Sequence, residues 1–203
     1  MFKEHQPVLA EHARTSPAHF AQLMVFAIAT QNWHFGKCQS KLAELQTYGL
    51  DDAPSWTKSQ KTGVHAAYAH ATHWAQQTLF NDSPLRAIKA LVECPSIGIV
   101  KAAFIRQMAC GDVGTLDRHW IRHLGLDHDA FSRVPTSCES LTTRIQSYLT
   151  LCEQAGGSAV LWDGWCTRIA ALYPAHFANA WHVSKYHVDC VMQDVATDDA
   201  QGN

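Results

Sequence analysis

The stretch Leu91-Val92-Glu93-Cys94-Pro95-Ser96-Ile97-Gly98-Ile99-Val100-Lys101-Ala102 decides how this chain is read, together with Gly114-Thr115-Leu116-Asp117-Arg118-His119-Trp120-Ile121-Arg122 after the next helical run. Upstream of it, Asp82 or Ser83 can cap a helix whose first position is Pro84, where a missing N–H does no harm. Leu85, Ile88 and Leu91 repeat at helical spacing, so that helix has one buried face. Pro95 stops it, and Gly98 reads as a residue allowing a backbone conformation or close approach that a side chain would block. A second helix begins near Ile99, with Ala102, Ile105 and Met108 or Ala109 along one side. Its free N–H groups, from about Gly98 to Lys101, lie at the positive end of the helix dipole and suit a phosphate. A hairpin of this kind grips a DNA backbone without reading its sequence.

Asp117 follows Gly98 by nineteen residues and stands just before another helix. Asp is a favoured N-cap there. It is also a carboxylate that the intervening helix carries back toward the hairpin. One residue can serve both purposes.

This order of hairpin, helix and isolated Asp resembles the helix-hairpin-helix plus Gly-Pro-Asp (HhH-GPD) element of the DNA glycosylase superfamily, whose members act on a nucleotide flipped out of duplex DNA. Over Ile97 to Leu126, the pattern Ile-Gly-Ile-Val-Lys-Ala-Ala-Phe-x-x-Gln-Met, then Gly, then Val-Gly-x-Leu-Asp-x-His-x-x-Arg is more closely similar to a bacteriophage branch of that superfamily. That branch contains the amino acid:DNA transferases and pyrophosphorylases of thymidine hypermodification. The resemblance implies an all-α, two-lobed fold and double-stranded DNA as partner. DNA contacts would come from Ser96, Ile97, Gly98, Val100 and Lys101, with Asp117 in the catalytic slot and His119 positioning it or touching a phosphate. In the transferase branch an amino acid such as glycine replaces pyrophosphate on 5-pyrophosphoryloxymethyluracil. Lys101, Arg118 and Arg122 would then meet the phosphates, and Asp117 would orient or deprotonate the incoming amine.

The departures from the family pattern are specific. Ser96 takes the slot of the first hairpin glycine. Val100 stands where bifunctional glycosylases carry a Schiff-base lysine, and Lys101 falls one residue later, about 100° round the helix. Lyase chemistry is therefore not expected. The cysteines at positions 38, 94, 110, 138, 152, 166 and 190 have no C-x-x-C or similar spacing, so no iron–sulfur cluster or other cofactor is expected. Gln31 matches the glycosylase position whose side chain fills the gap left by a flipped base, and Trp33 is suited to stack on that base. For Trp33 alone, packing in the core is the commoner role.

Length and composition agree with a small helical enzyme. The 203 residues can bury a sizeable core, read as one HhH-GPD-like domain over 1–196 with a disordered tail at 197–203. One lobe spans about 16–125 and holds the hairpin at 85–110, while N- and C-terminal helices form the second. At 47% hydrophobic residues no run reaches transmembrane length, and the N-terminus lacks a signal-peptide core. Seven cysteines without framework spacing imply reduced thiols in a cytoplasm, and the protein is expected to be a monomer. A formal charge of −2 counts against a strong non-specific DNA binder; Lys101, Arg106, Arg118, Arg122 and Arg133 can supply a local basic surface, diluted by Asp112, Asp127 and Asp129.

Further helices are expected from Ser16-Pro17 through Ile28, around Leu42 and Leu45 up to Gly49, and from about Gln60 to Leu79. Another runs from Ser137 to a stop at Gly156-Gly157, followed by helices over about Ala159 to Leu172 and Val183 to Val195. Thirteen histidines include the pairs His70/His73 and His119/His123, but no H-E-x-x-H or Cys-paired zinc spacing, so no metal is expected. Ser184 and Lys185, in a polar-aromatic segment, are placed to line a co-substrate site. Three functions stay open on these residues: the transferase, a monofunctional glycosylase of base excision repair using the same Asp117, and a catalytically inert DNA-binding hairpin.

Overall fold

Ser16 caps the helix that organises the molecule. Its hydroxyl accepts from the His19 N–H at 3.2 Å, Pro17 follows at the first helical position, and no polar residue but Gln22 interrupts Phe20–Ala29. A helix apolar all round must be enclosed by others, and in this computed structural model every residue from Phe20 to Ala29 is buried. The structure describes residues 5–30, 35–127 and 131–172, and the described residues are helical with no strand. None of the described helices is long and apolar enough to cross a membrane.

The elements are α1 (His5–Thr15), α2 (Pro17–Ala29), α3 (Phe35–Asp52), α4 (Lys58–Ala69), α5 (Ala71–Leu79), α6 (Pro84–Leu91), α7 (Ile99–Cys110), α8 (Arg118–His123), α9 (Cys138–Gln154) and α10 (Gly157–Leu172). Helices α1, α4, α5 and α7 surround α2, while α9 packs on α6 and α10. One apolar cluster runs from Leu9 of α1 to Ile169 of α10.

Several expectations need correction. The single helix anticipated from Gln60 to Leu79 is two, broken at His70 (φ −118°, ψ 27°). The break lets both faces, Val64–Ala67–Tyr68 and Trp74–Ala75–Thr78, close on α2, and the Trp74 indole N–H covers the Ala66 carbonyl at 3.0 Å. Helix α7 is not amphipathic. Ala102–Ala109 are all buried, including Arg106 and Gln107, because α1, α2, α5 and α6 enclose it. Arg106 is satisfied there by Asp112 and the Thr78 carbonyl. An N-terminal helix was expected without bounds; α1 supplies it over His5–Thr15, and its Gln6 amide reaches the Gln107 and Met108 carbonyls at the end of α7 (3.4 and 3.5 Å). The helix expected over 183–195, the tail at 197–203, and Ser184 and Lys185 lie outside the described residues.

Candidate functional site

Ser83 rather than Asp82 caps α6, its hydroxyl accepting the Arg86 N–H at 3.4 Å, and the chain then turns through 92–98 into α7. The turn has short backbone bonds, Cys94 N–H to Leu91 O and Ile97 N–H to Cys94 O, each 3.1 Å. Helix α4 backs it. The Ser96 and Ser59 hydroxyls lie 2.7 Å apart, and a Cβ on Gly63 would fall 2.4 Å from the Pro95 carbonyl oxygen.

The special backbone assigned to Gly98 is found elsewhere. Ser96 has the positive φ, 67°, whereas Gly98 is extended (φ −96°, ψ 179°) and a Cβ there would meet nothing nearer than Ser132 O at 3.9 Å. The close approach that demands a glycine belongs to Gly63. The fold itself therefore makes no demand on Gly98. No side chain of the described residues caps α7 at that residue. Of the other hairpin residues expected to touch DNA, Ile97 is buried and Val100 packs partly against the core, which leaves their backbone groups for any outside contact.

Lys101 turns inward from the first turn of α7. Its Nζ donates to Thr30 Oγ1 at 2.5 Å and lies 5.9 Å from the Phe104 ring centroid. Thr30 in turn donates to the Ala27 carbonyl at 2.8 Å, so its oxygen is held as an acceptor. Burial brings the Lys101 pKa down from 10.5 to about 8; the thiol of Cys38 and the carboxylate of Asp117 oppose that fall, and the Arg118 guanidinium adds to it. Hairpin helix, Asp117 and Arg118 are thus within electrostatic reach of each other.

Asp117 is held at three points. Its backbone carbonyl accepts the Ile121 N–H at 2.9 Å, its Oδ1 accepts the Trp120 N–H at 3.0 Å, and its Oδ2 pairs with Arg168 of α10. The first two make it the N-cap of α8. The loop before it is equally constrained: Leu116 N–H donates to the buried Tyr148 hydroxyl at 2.8 Å, and Cys152 Sγ lies 3.1 Å from the Gly114 carbonyl. A Cβ on Gly114 would sit 2.3 Å from Leu161 Cδ1. Helix α8 leans on α10 through Trp120, whose ring would lie 3.0 Å from a Cβ on Gly164, and whose buried Nε1–H has no acceptor among the described residues.

The remaining expected residues divide clearly. Arg118 and Arg122 are exposed on α8. The side chain of His119, and Gln31 and Trp33 altogether, lie outside the described residues; Thr30, the partner of Lys101, immediately precedes Gln31. Among the described residues no group of three or more His, Cys, Asp or Glu is arranged to hold a metal. His70 and His73 instead set their rings edge-on to Trp74.

Sequence reasoning missed Arg168, Thr30 and a second buried lysine. Lys41 of α3 donates to Gln60 Oε1 at 2.8 Å and lies 4.8 Å from the Trp56 ring centroid, while Gln60 Nε2 reaches the Ile28 carbonyl at 3.3 Å. Burial pushes the Cys38 thiol up to about 12, against the pull of Lys101 and Lys41. Only contacts between distant residues mark these positions; Gly164, one helical turn before Arg168, was the single local sign of close packing there. Two surface hollows, of about 610 Å³ beside Phe80 and Arg86 and about 420 Å³ beside Phe131 and Arg144, are lined by none of Lys101, Asp117 or Arg168. Comparison of the chain with protein-family models, with curated proteins and with solved structures yields no match in any of the three.

Proposed function

We propose that this protein is a DNA base-modifying transferase that moves an amino acid, such as glycine, onto 5-pyrophosphoryloxymethyluracil flipped out of duplex DNA. The observation that carries the reading is the set of cations around one carboxylate. Arg168 pairs with Asp117, and Lys101 and Arg118 share its electrostatic neighbourhood at the start of the hairpin helix. A site with more positive than negative groups favours a polyanion whose charge grows as its bond breaks. In the reaction the amine nitrogen forms a C–N bond to the 5-methylene carbon as the C–O bond breaks. The electron pair leaves with pyrophosphate, and the amine's proton passes to Asp117 and then to solvent.

The uncapped N-terminus of α7 after Gly98 supports a phosphate contact from the DNA strand. The α6–turn–α7 arrangement followed by Asp117 supports the HhH-GPD-like, two-lobed reading of the fold, and with it action inside a cell on chromosomal or viral DNA. The same Asp117 would serve a monofunctional glycosylase, where a lone carboxylate faces a positive sugar. Its pairing with Arg168 offsets the negative charge that such a role needs.

The test is incubation with duplex DNA carrying thymine, 5-hydroxymethyluracil or its pyrophosphorylated form, with and without glycine, followed by nucleoside mass spectrometry. Transfer gives a heavier nucleoside and free pyrophosphate only when the pyrophosphorylated base and glycine are both present. Free base and alkali-labile strands without glycine would establish the glycosylase instead. A borohydride-trapped adduct at Lys101 would replace both with a lyase.

A further inference from the structure

We infer that the Asp117–Arg168 pair is the recognition site for the zwitterionic end of the amino acid, with Arg168 taking its α-carboxylate and Asp117 its amino group. This rests on the transferase reading above and names the part of the site that selects the co-substrate.

Arginine offers five N–H donors in a planar fork that matches a carboxylate. Arg168 uses one nitrogen, Nη2, on a single oxygen of Asp117, and makes no other hydrogen bond among the described residues. The pair is accessible: the two side chains are 25% and 22% exposed, and none of the Arg168 nitrogens is among the buried atoms lacking a partner. Four donors therefore remain on a guanidinium that is three-quarters enclosed and fixed in direction by its ion pair.

An α-amino acid carries a cationic and an anionic group two bonds apart. The complement of such a group is a carboxylate and a guanidinium in contact, with the charges exchanged. Asp117 and Arg168 are that arrangement. The origins of the cations divide the labour in the same sense. Lys101 belongs to the helix that opens at the hairpin, and the transferase reading gives it the DNA-borne pyrophosphate. Arg168 comes from α10, a helix that takes no part in the hairpin, and is placed for a molecule not attached to DNA. A departing pyrophosphate would offer the same oxyanion chemistry to Arg168, so the experiment must separate the two.

Full-length wild type, Arg168→Gln and Arg168→Lys are titrated calorimetrically with glycine and with glycinamide, which lacks the carboxylate. Transfer of both amines to pyrophosphorylated DNA is then followed, with inorganic pyrophosphate as inhibitor. Wild type should prefer glycine by about 100-fold or more in kcat/KM, since a site built to bind a charged group rejects the analogue without it. Arg168→Gln should lose that preference through the KM for glycine, Arg168→Lys should regain part of it, and pyrophosphate inhibition should not move.

Equal use of glycine and glycinamide by wild type overturns the inference, as does a preference that survives in Arg168→Gln. A variant slowed alike on both amines shows a structural tie only, and weakened pyrophosphate inhibition assigns Arg168 to the leaving group; each sinks the proposal. Should wild type bind glycine through Arg168 yet transfer neither amine, the transferase reading falls while the binding site stands. Absence of glycine binding by wild type removes the site itself.

Discussion

Asp117 and Arg168 stand 51 residues apart in the chain and meet as an ion pair, while the other oxygen of Asp117 caps α8 through the Trp120 N–H. A residue that begins a six-residue helix thereby also ties that helix to α10. Each oxygen of the carboxylate is thus oriented by a group of the protein, a condition for positioning a reactant without further reorganisation.

Replacing Asp117 with Asn separates these duties. Asn caps a helix as well as Asp does, so α8 should persist, but the charge on Arg168 loses its partner. The expected loss is about 1–2 kcal/mol of stability, seen as a lower thermal midpoint. Transfer should fall by about 100-fold or more. Full activity in the Asn variant would remove the carboxylate from the chemistry.

Lys101 gives a pH signature with a definite sign. Burial lowers its pKa from 10.5 to about 8 in the folded protein. Below about pH 8 both folded and unfolded chains carry the proton, and the folded state bears the full penalty of a buried ammonium. Between the two values only the unfolded chain keeps the proton, so stability rises with pH across that window. Lys101→Met should be more stable than wild type at neutral pH by on the order of 2–3 kcal/mol. Denaturant melts at increasing pH should show the difference closing toward the upper value. A constant difference would mean that Lys101 is not held in a low-dielectric site.

Two alanine substitutions should behave oppositely. At Gly98 a methyl group meets, among the described residues, only Ser132 O at 3.9 Å and Val134 Cγ2 at 4.0 Å, so stability should change by less than about 0.5 kcal/mol. DNA affinity should nevertheless drop, if phosphate approaches the free N–H groups there, with little change in sequence preference. At Gly114 the methyl group would lie 2.3 Å from Leu161 Cδ1 and 3.3 Å from Cys152 Cβ, which predicts about 1–3 kcal/mol of destabilisation. Activity should fall with it, because the same loop delivers Asp117. Unchanged DNA binding in Gly98→Ala would take the hairpin out of the interface.

Ser96 holds a left-handed conformation at φ 67° that a side chain disfavours by about 1–2 kcal/mol. Ser96→Gly removes that strain and gives up one exposed hydrogen bond to Ser59. The thermal midpoint should stay level or rise. A marked fall would show that the Ser59 contact, not the backbone, holds the turn.

Local rules were sufficient wherever a helix begins on its own residues. Ser16-Pro17, Ser83-Pro84 and Ser137 each open a helix as capping predicts, and Gly156 and Gly157, with φ of 106° and 74°, end the run from Cys138. The proximity of Asp117 to the hairpin was likewise legible, because one helix of known rise joins them. The break at His70 was not legible: the pattern of Val64, Ala67, Trp74 and Ala75 suits one long helix, and only packing against α2 bends it.

The sequence by itself determined the helical class, most of the helix starts and the position of Asp117 one helix after the turn at 92–98, since capping and periodicity act over a few residues. Tertiary structure alone decided that Lys101 turns inward to Thr30, that Ser96 rather than Gly98 bears the left-handed turn, that Gly63 admits the Pro95 carbonyl, and that Arg168 answers Asp117. These are relations between side chains 51 to 71 residues apart, or between a turn and the helix behind it, and no local pattern encodes which distant groups will share a dielectric environment.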